Sequence, residues 1–164
     1  MMEDIKGFYK DGKHSFLSNF YPSNIKFMGV DYPTVEHFYQ AAKSFFPGEA
    51  QLIAEADRPG EAKRYGRKVS LHPDWENIKL SVMELALRLK FSNPIMMRAL
   101  LETECAYLEE TNSWGDVEWG VCNGIGKNYL GILLMRIRDE LRMKNQCDFL
   151  SEKLEELKIR NNND

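Results

Sequence analysis

Apolar and polar residues alternate at Ile25-Lys26-Phe27 and Val30-Asp31-Tyr32, on either side of Met28-Gly29. That period of two, with a two-residue turn between, predicts a β-hairpin closing a strand-and-turn region over the first 32 residues. The period then lengthens. Val35, Phe38, Tyr39, Ala42 and Phe46 form an apolar stripe of helical spacing that ends before Pro47-Gly48. A second helix is expected over roughly 49–57. Arg58-Pro59-Gly60 separates it from a short one ending near Gly66. Asp74 is positioned to cap a helix running to about Phe91, with Ile78, Val82, Leu85, Ala86 and Leu89 on its apolar side. Asn93-Pro94 starts another, with proline at its first position. Beyond Thr103 the pattern breaks into loop and short strand through Asn123. Asn128 then opens a last core helix lined by Leu130, Leu133, Leu134, Ile137 and Leu141.

These elements predict an α+β fold, a predominantly helical single domain with a small N-terminal β-hairpin or sheet, over residues 1–145. Residues 146–164 read as a charged helical extension whose thin stripe is Phe149 or Leu150, Leu154 and Leu157, with a frayed Asn161-Asn162-Asn163-Asp164 tail.

Composition narrows the class. The 164 residues are 43% hydrophobic and 12% aromatic, enough for one globular core. No apolar run approaches the ~20 residues of a membrane span, and no secretory leader is visible, so no membrane partner is expected. Cys105, Cys122 and Cys147 are odd in number and far apart, which suits a reducing cytoplasm. A net charge of -3 argues against a stable nucleic-acid binder. The one dense basic cluster is Lys63, Arg64, Arg67 and Lys68, usually a solvated face but able to hold a phosphate group. His14, His37 and His72 lack zinc-like spacing, so neither metal nor cofactor is expected.

Candidate chemistry lies in two segments. In Pro33-Thr34-Val35-Glu36-His37-Phe38-Tyr39-Gln40-Ala41-Ala42-Lys43, helical spacing places Glu36, Gln40 and Lys43 on a stripe separate from the apolar one. Glu36 and Lys43 stand roughly 10 Å apart along the axis, suited to gripping opposite sides of a small substrate. A solvated face, with Glu36 beside the helix N-terminus after a Thr34 cap, is the plain alternative. The second segment runs from Asp116 to Gly131 and is dense in Gly, Asn and Trp immediately before a helix. Glycines allow close backbone approach to a ligand, helix N–H groups favour anionic oxygens, and Lys127 adds charge. A helix-entry loop with Trp119 tucked into the core explains the same residues.

Taken in order, these motifs resemble one family. Phe16-Leu17-Ser18-Asn19-Phe20, Pro33 to His37, Gln40 with Lys43, Trp75-Glu76, Lys90-Phe91, Asp116 with Trp119-Gly120, and Gly126-Lys127-Asn128 with Leu130-Gly131 are similar to the NADAR family of YbiA-like N-glycosidases. The resemblance covers roughly residues 7–143. It implies cleavage of ribosyl N-glycosidic bonds, either removing ADP-ribose from guanine bases or hydrolysing ribosylamino-pyrimidine phosphates of riboflavin synthesis. It further implies Lys43 as a Schiff-base nucleophile, Glu36 as its acid–base partner and Asp116 as a third catalytic group. Ser18, Asn19, Phe20, Gln40, Trp119, Gly120, Gly126, Lys127 and Asn128 are then the substrate contacts. The expected partner is an ADP-ribosyl or ribosyl-phosphate substrate, with ADP-ribosylated nucleic acid engaged transiently. A sensor that binds an NAD-derived ligand without turnover is the competing class. Val121-Cys122-Asn123 departs from the acidic or Gly-rich turn of many relatives, which bears on the choice of base.

Overall fold

Thr34 marks the point where strand gives way to helix. Its extended backbone closes the hairpin while its hydroxyl accepts the His37 N–H at 3.3 Å, capping α1. A computed structural model describes residues 3–9 and 11–161, with side chains through residue 155. The hairpin pairs β2 (Pro22–Phe27) with β3 (Val30–Thr34) antiparallel. Met28 and Gly29 both take positive φ, as a tight two-residue turn of this twist requires. Phe27 and Tyr32 project from the hairpin edge-on against Phe38 of α1 (Val35–Ala41), with centroids 5.4 and 5.0 Å away.

Helices α2 (Pro47–Ala54) and α3 (Pro59–Gly66) pack on α1, each opened by a proline. Then come α4 (Trp75–Phe91), α5 (Pro94–Leu101) and the long α6 (Tyr129–Asn161). Asn93 caps α5, its side chain accepting the Ile95 and Met96 N–H groups. Two parallel pairs of two residues each complete the fold. The first joins β1 (Ile5–Lys6) to β4 (Leu108–Glu109), the second β5 (Thr111–Asn112) to β6 (Val121–Cys122). The core gathers Leu17, Ile25, Val35, Leu87, Phe91 and Leu134, so hairpin, α1, α4 and α6 share one interior. Among the described residues no helix is long and apolar enough to cross a membrane.

The α+β architecture is the one expected, with corrections at element ends. Helix α1 stops at Ala41 rather than near Phe46, and Phe46 is exposed because the chain turns away to pair Ser44 with Leu71. Asp74 stands at the head of α4 without a side-chain cap; its N–H donates to His72 Nδ1 instead. Leu85 faces solvent, and the buried line on α4 runs through Met83, Ala86, Leu87 and Lys90. Residue 146 interrupts nothing: α6 continues through it, with Phe149, Leu150 and Leu154 exposed. The Leu157 side chain and residues 162–164 lie outside the described residues.

Candidate active site

Every residue of α1 is buried, Glu36 and Gln40 included. A solvated face is therefore excluded. Glu36, 5% exposed, accepts a 2.7 Å hydrogen bond from Gln40 Nε2, and its backbone N–H donates to the Asn19 carbonyl. Burial drives its carboxyl above the usual range, and Asp116 adds to the rise; Lys63, Gln40 and Lys43 oppose it. His37 plays no part in this pocket: its ring bridges Thr34 Oγ1 and the Ala56 carbonyl, which ties α1 to the end of α2.

Lys43 leaves the helix just past its end, in a turn held by its own N–H to Gln40 O and by His72 N–H to Lys43 O. The ammonium nitrogen lies 5.2 Å from the Tyr39 ring centroid and 5.9 Å from that of Trp75. Burial lowers its pKa, and Lys63 and Arg67 of and beside α3 push the same way against the pull of Glu36. Lys43 and Glu36 act on each other through space, from the turn after a helix and from that helix rather than from one helical stripe.

Asp116 shapes the opposite wall. Its Oδ1 accepts the N–H groups of Glu118 and Trp119 at 3.1 and 2.9 Å, and Asn112 binds both its N–H and its carbonyl. This turn fixes the backbone of Trp119. Trp119 stands edge-on to Tyr39 at 5.3 Å and continues an aromatic row that runs from buried Trp75 to Tyr129. Asp116 also acts on Glu36 and on Glu110 through space.

The expected substrate contacts divide. Asn19 leaves its Oδ1 buried without a partner, as does Gln40 with Oε1. Phe20 is exposed, with Lys63 Nζ 5.8 Å from its ring centroid. Ser18 Oγ accepts the Phe20 N–H, while its carbonyl accepts Lys90 Nζ at 2.8 Å. The glycines of the second segment admit backbone rather than ligand. A Cβ on Gly126 would stand 2.1 Å from the Gly120 carbonyl, and one on Gly120 would stand 2.1 Å from that of Glu110. Asn128 is buried and fully engaged, accepting from Glu110 N–H and donating to Leu108 O and the Tyr107 hydroxyl. Its side chain therefore does not cap α6.

The helix N-terminus is likewise closed to an anion. The N–H groups of Lys127 through Leu130 donate to the carbonyls of Val117, Gly120, Glu118 and Trp119 in turn. Lys127 lies exposed over the Tyr129 ring. Val121-Cys122-Asn123 leads into a tight turn, with Asn123 and Gly124 at positive φ and Cys122 paired to Ile125. No group of described residues is arranged to hold a metal ion.

Two residues escaped the sequence reading, and a third was read only as part of a basic cluster able to hold a phosphate group: Lys63, whose charge reaches Glu36, Lys43 and Glu110. Glu110 is indistinguishable by pattern from Glu109 beside it. Gly66 faces Gln40 so closely that a Cβ would stand 2.1 Å from Oε1.

A buried carboxyl and a half-buried amine of lowered pKa act on each other through space beside an aromatic wall, and such groups suit acid–base or nucleophilic chemistry. The NADAR domain model matches residues 7–142, and the chain belongs to this family. It is 39% identical to the N-glycosidase YbiA of Shigella boydii serotype 4 over 88% of this chain and 92% of that one. A riboflavin biosynthesis protein of Vibrio vulnificus is 36% identical over 87% of this chain, which spans 40% of that larger protein. The solved structure of Escherichia coli YbiA superposes with a TM-score of 0.78 at 37% identity, covering 89% of this chain and 90% of that one.

Proposed function

We propose that this protein is an N-glycosidase that hydrolyses a ribosyl C–N bond, removing ADP-ribose from guanine bases or nucleotides through a lysine Schiff base. The observation that carries the reading is the half-buried Lys43 beside the buried Glu36, with the amine pushed toward its neutral form. Only a neutral amine attacks the anomeric carbon, and burial shifts Lys43 toward that form. Positive charge on the carbon in the transition state favours a nearby carboxylate. Glu36 fills that role and takes the proton Lys43 sheds. Trp119 offers its ring to the base, and Lys63 with Arg67 supplies the positive side for phosphate, in place of the closed helix N-terminus at Lys127. The names of the relatives support the bond type, and those linked to riboflavin synthesis keep a ribosylamino-pyrimidine phosphate as the second substrate to test.

The test incubates the protein with ADP-ribosylated guanine oligonucleotide, ADP-ribosyl nucleosides and the ribosylamino-pyrimidine phosphate, and follows released base by mass spectrometry. Cleavage of the first two is expected. Borohydride traps a covalent adduct on wild-type protein and not on Lys43→Ala, which loses turnover but keeps its fold. Cleavage of the pyrimidine alone would reassign the substrate. Binding of ADP-ribose without any cleavage would leave a sensor, and full turnover by Lys43→Ala would end the mechanism.

A further inference from the structure

Departure of the base requires a proton on its leaving nitrogen, and neither Lys43 nor Glu36 is free to give it while forming the bond to C1′. Asp116 is held as an acceptor, its Oδ1 engaged by two backbone N–H groups. A third carboxyl reaches the same charge cluster. Glu110 follows β4, and its Oε2 is enclosed with no hydrogen-bond partner. Asp116, on the loop before Trp119, and Lys63, on α3, both act on it, and these same two groups act on Glu36 across the site. Lys63 further acts on Lys43. The backbone at Glu110 is fixed from two sides, its N–H by Asn128 Oδ1 and its carbonyl by Val121 N–H. Gly120 packs directly on Glu110, where a Cβ would stand 2.1 Å from the Glu110 carbonyl and 3.1 Å from its Cγ. The carboxyl therefore has a rigid base and an unsatisfied tip among the catalytic charges.

We propose that Glu110 is the general acid that protonates the departing base. The assignment rests on the N-glycosidase reading above. In the first step the C1′–N bond breaks, its electron pair passes to the base nitrogen, and that nitrogen takes the Glu110 proton. Lys43 Nζ bonds to C1′ and its proton passes to Glu36. The C1′–O4′ bond then opens, O4′ takes that proton back from Glu36, and the nitrogen lone pair forms the protonated C1′=N Schiff base. In the second step water adds to C1′ and gives one proton to Glu110. The new C1′ hydroxyl gives its proton to Lys43 Nζ as the C1′–N bond breaks and the aldehyde form of the ribose leaves. The net reaction consumes one water and restores every residue. Burial, with Asp116 adding and Lys63 opposing, raises the Glu110 carboxyl to about 7, which suits a donor that works near neutral pH.

The test measures pH profiles of full-length protein on the ADP-ribosylated guanine oligonucleotide and on the ribosylamino-pyrimidine phosphate. Wild-type kcat should fall above about pH 7. Glu110→Gln should lower kcat about 100- to 10,000-fold, leave KM within about threefold and abolish that alkaline limb. A variant with wild-type kcat and limb, or one altered in KM alone, would overturn the assignment. If Glu110→Gln does not fold, Glu110→Asp keeps an ionisable group one methylene short and should shift the limb; an unshifted limb overturns the assignment equally. Failure of wild-type protein to cleave either substrate defeats the N-glycosidase reading itself. Wild-type cleavage matched by Glu110→Gln defeats only the role of Glu110.

Discussion

Lys90 shows how much one side chain decides here. It is wholly buried, makes a single hydrogen bond to the Ser18 carbonyl, and has its amine pushed down to about 7 by burial. Ser18 is followed by Asn19, whose carbonyl accepts the Glu36 N–H, so this amine braces the segment against which Glu36 is set. Above about pH 7 the folded chain lacks a proton that the unfolded chain keeps until about 10.4, so this residue makes stability rise with pH across that window. Lys90→Met removes that slope. The melting-temperature difference, variant minus wild type, should shrink from pH 6 to pH 10, while KM rises as the Ser18–Phe20 segment loosens. A difference independent of pH would show that the amine is charged throughout. Nothing in the local sequence marks Lys90 as buried, because a lysine on an amphipathic helix ordinarily lies on its wet face. Glu110 was hidden too, as a charged residue beside another just past the two-residue strand β4.

Elements were more legible than residues, since periodicity reports which side of a helix meets apolar neighbours. Even so, Pro47-Gly48 and Pro59-Gly60, read as breaks between helices, instead open α2 and α3, and α2 ends at Ala54 rather than near residue 57. The hairpin at Met28-Gly29 and the proline start of α5 follow from local chemistry. The end of α1 did not, because Ser44 pairs with the distant Leu71 and that contact overrides the continuing helical pattern at Phe46. The contact between α1 and α3 was also invisible, yet it seats Gln40. Gly66→Ala tests it: the added methyl would lie 2.1 Å from Gln40 Oε1 and 2.9 Å from its Cβ, displacing the amide that holds Glu36. Alanine normally favours a helix over glycine by up to ~1 kcal/mol. The expected result is a folded protein with kcat reduced about 100-fold, as for a small misplacement of a reacting group. Unchanged kcat, measured beside the melting curve, would show that Gln40 does not set the carboxyl.

The whole molecule closes through its ends. Ile5 and Gly7 donate N–H groups to the Tyr107 and Glu109 carbonyls, and Phe8 is buried in the main core. Phe8→Ala should cost about 3–5 kcal/mol in denaturant unfolding; a loss within experimental scatter would mean that the N-terminal segment is peripheral. The two walls of the site, α1 with Lys43 and the Glu110–Trp119 stretch, could be placed together from sequence only through the family resemblance, since no periodicity relates distant segments. That separation has a consequence for synthesis. At ~5–20 residues per second, roughly 4–15 s pass between the addition of Lys43 and that of Trp119. Until Phe91 is added α4 is incomplete, and α6 is absent throughout the interval, so the nascent chain carries Val35, Phe38 and Tyr39 before the helices that cover them exist. The same wait leaves the Lys43 amine hydrated and protonated, because Trp75, a ring it lies beside in the folded chain, is added only with the start of α4.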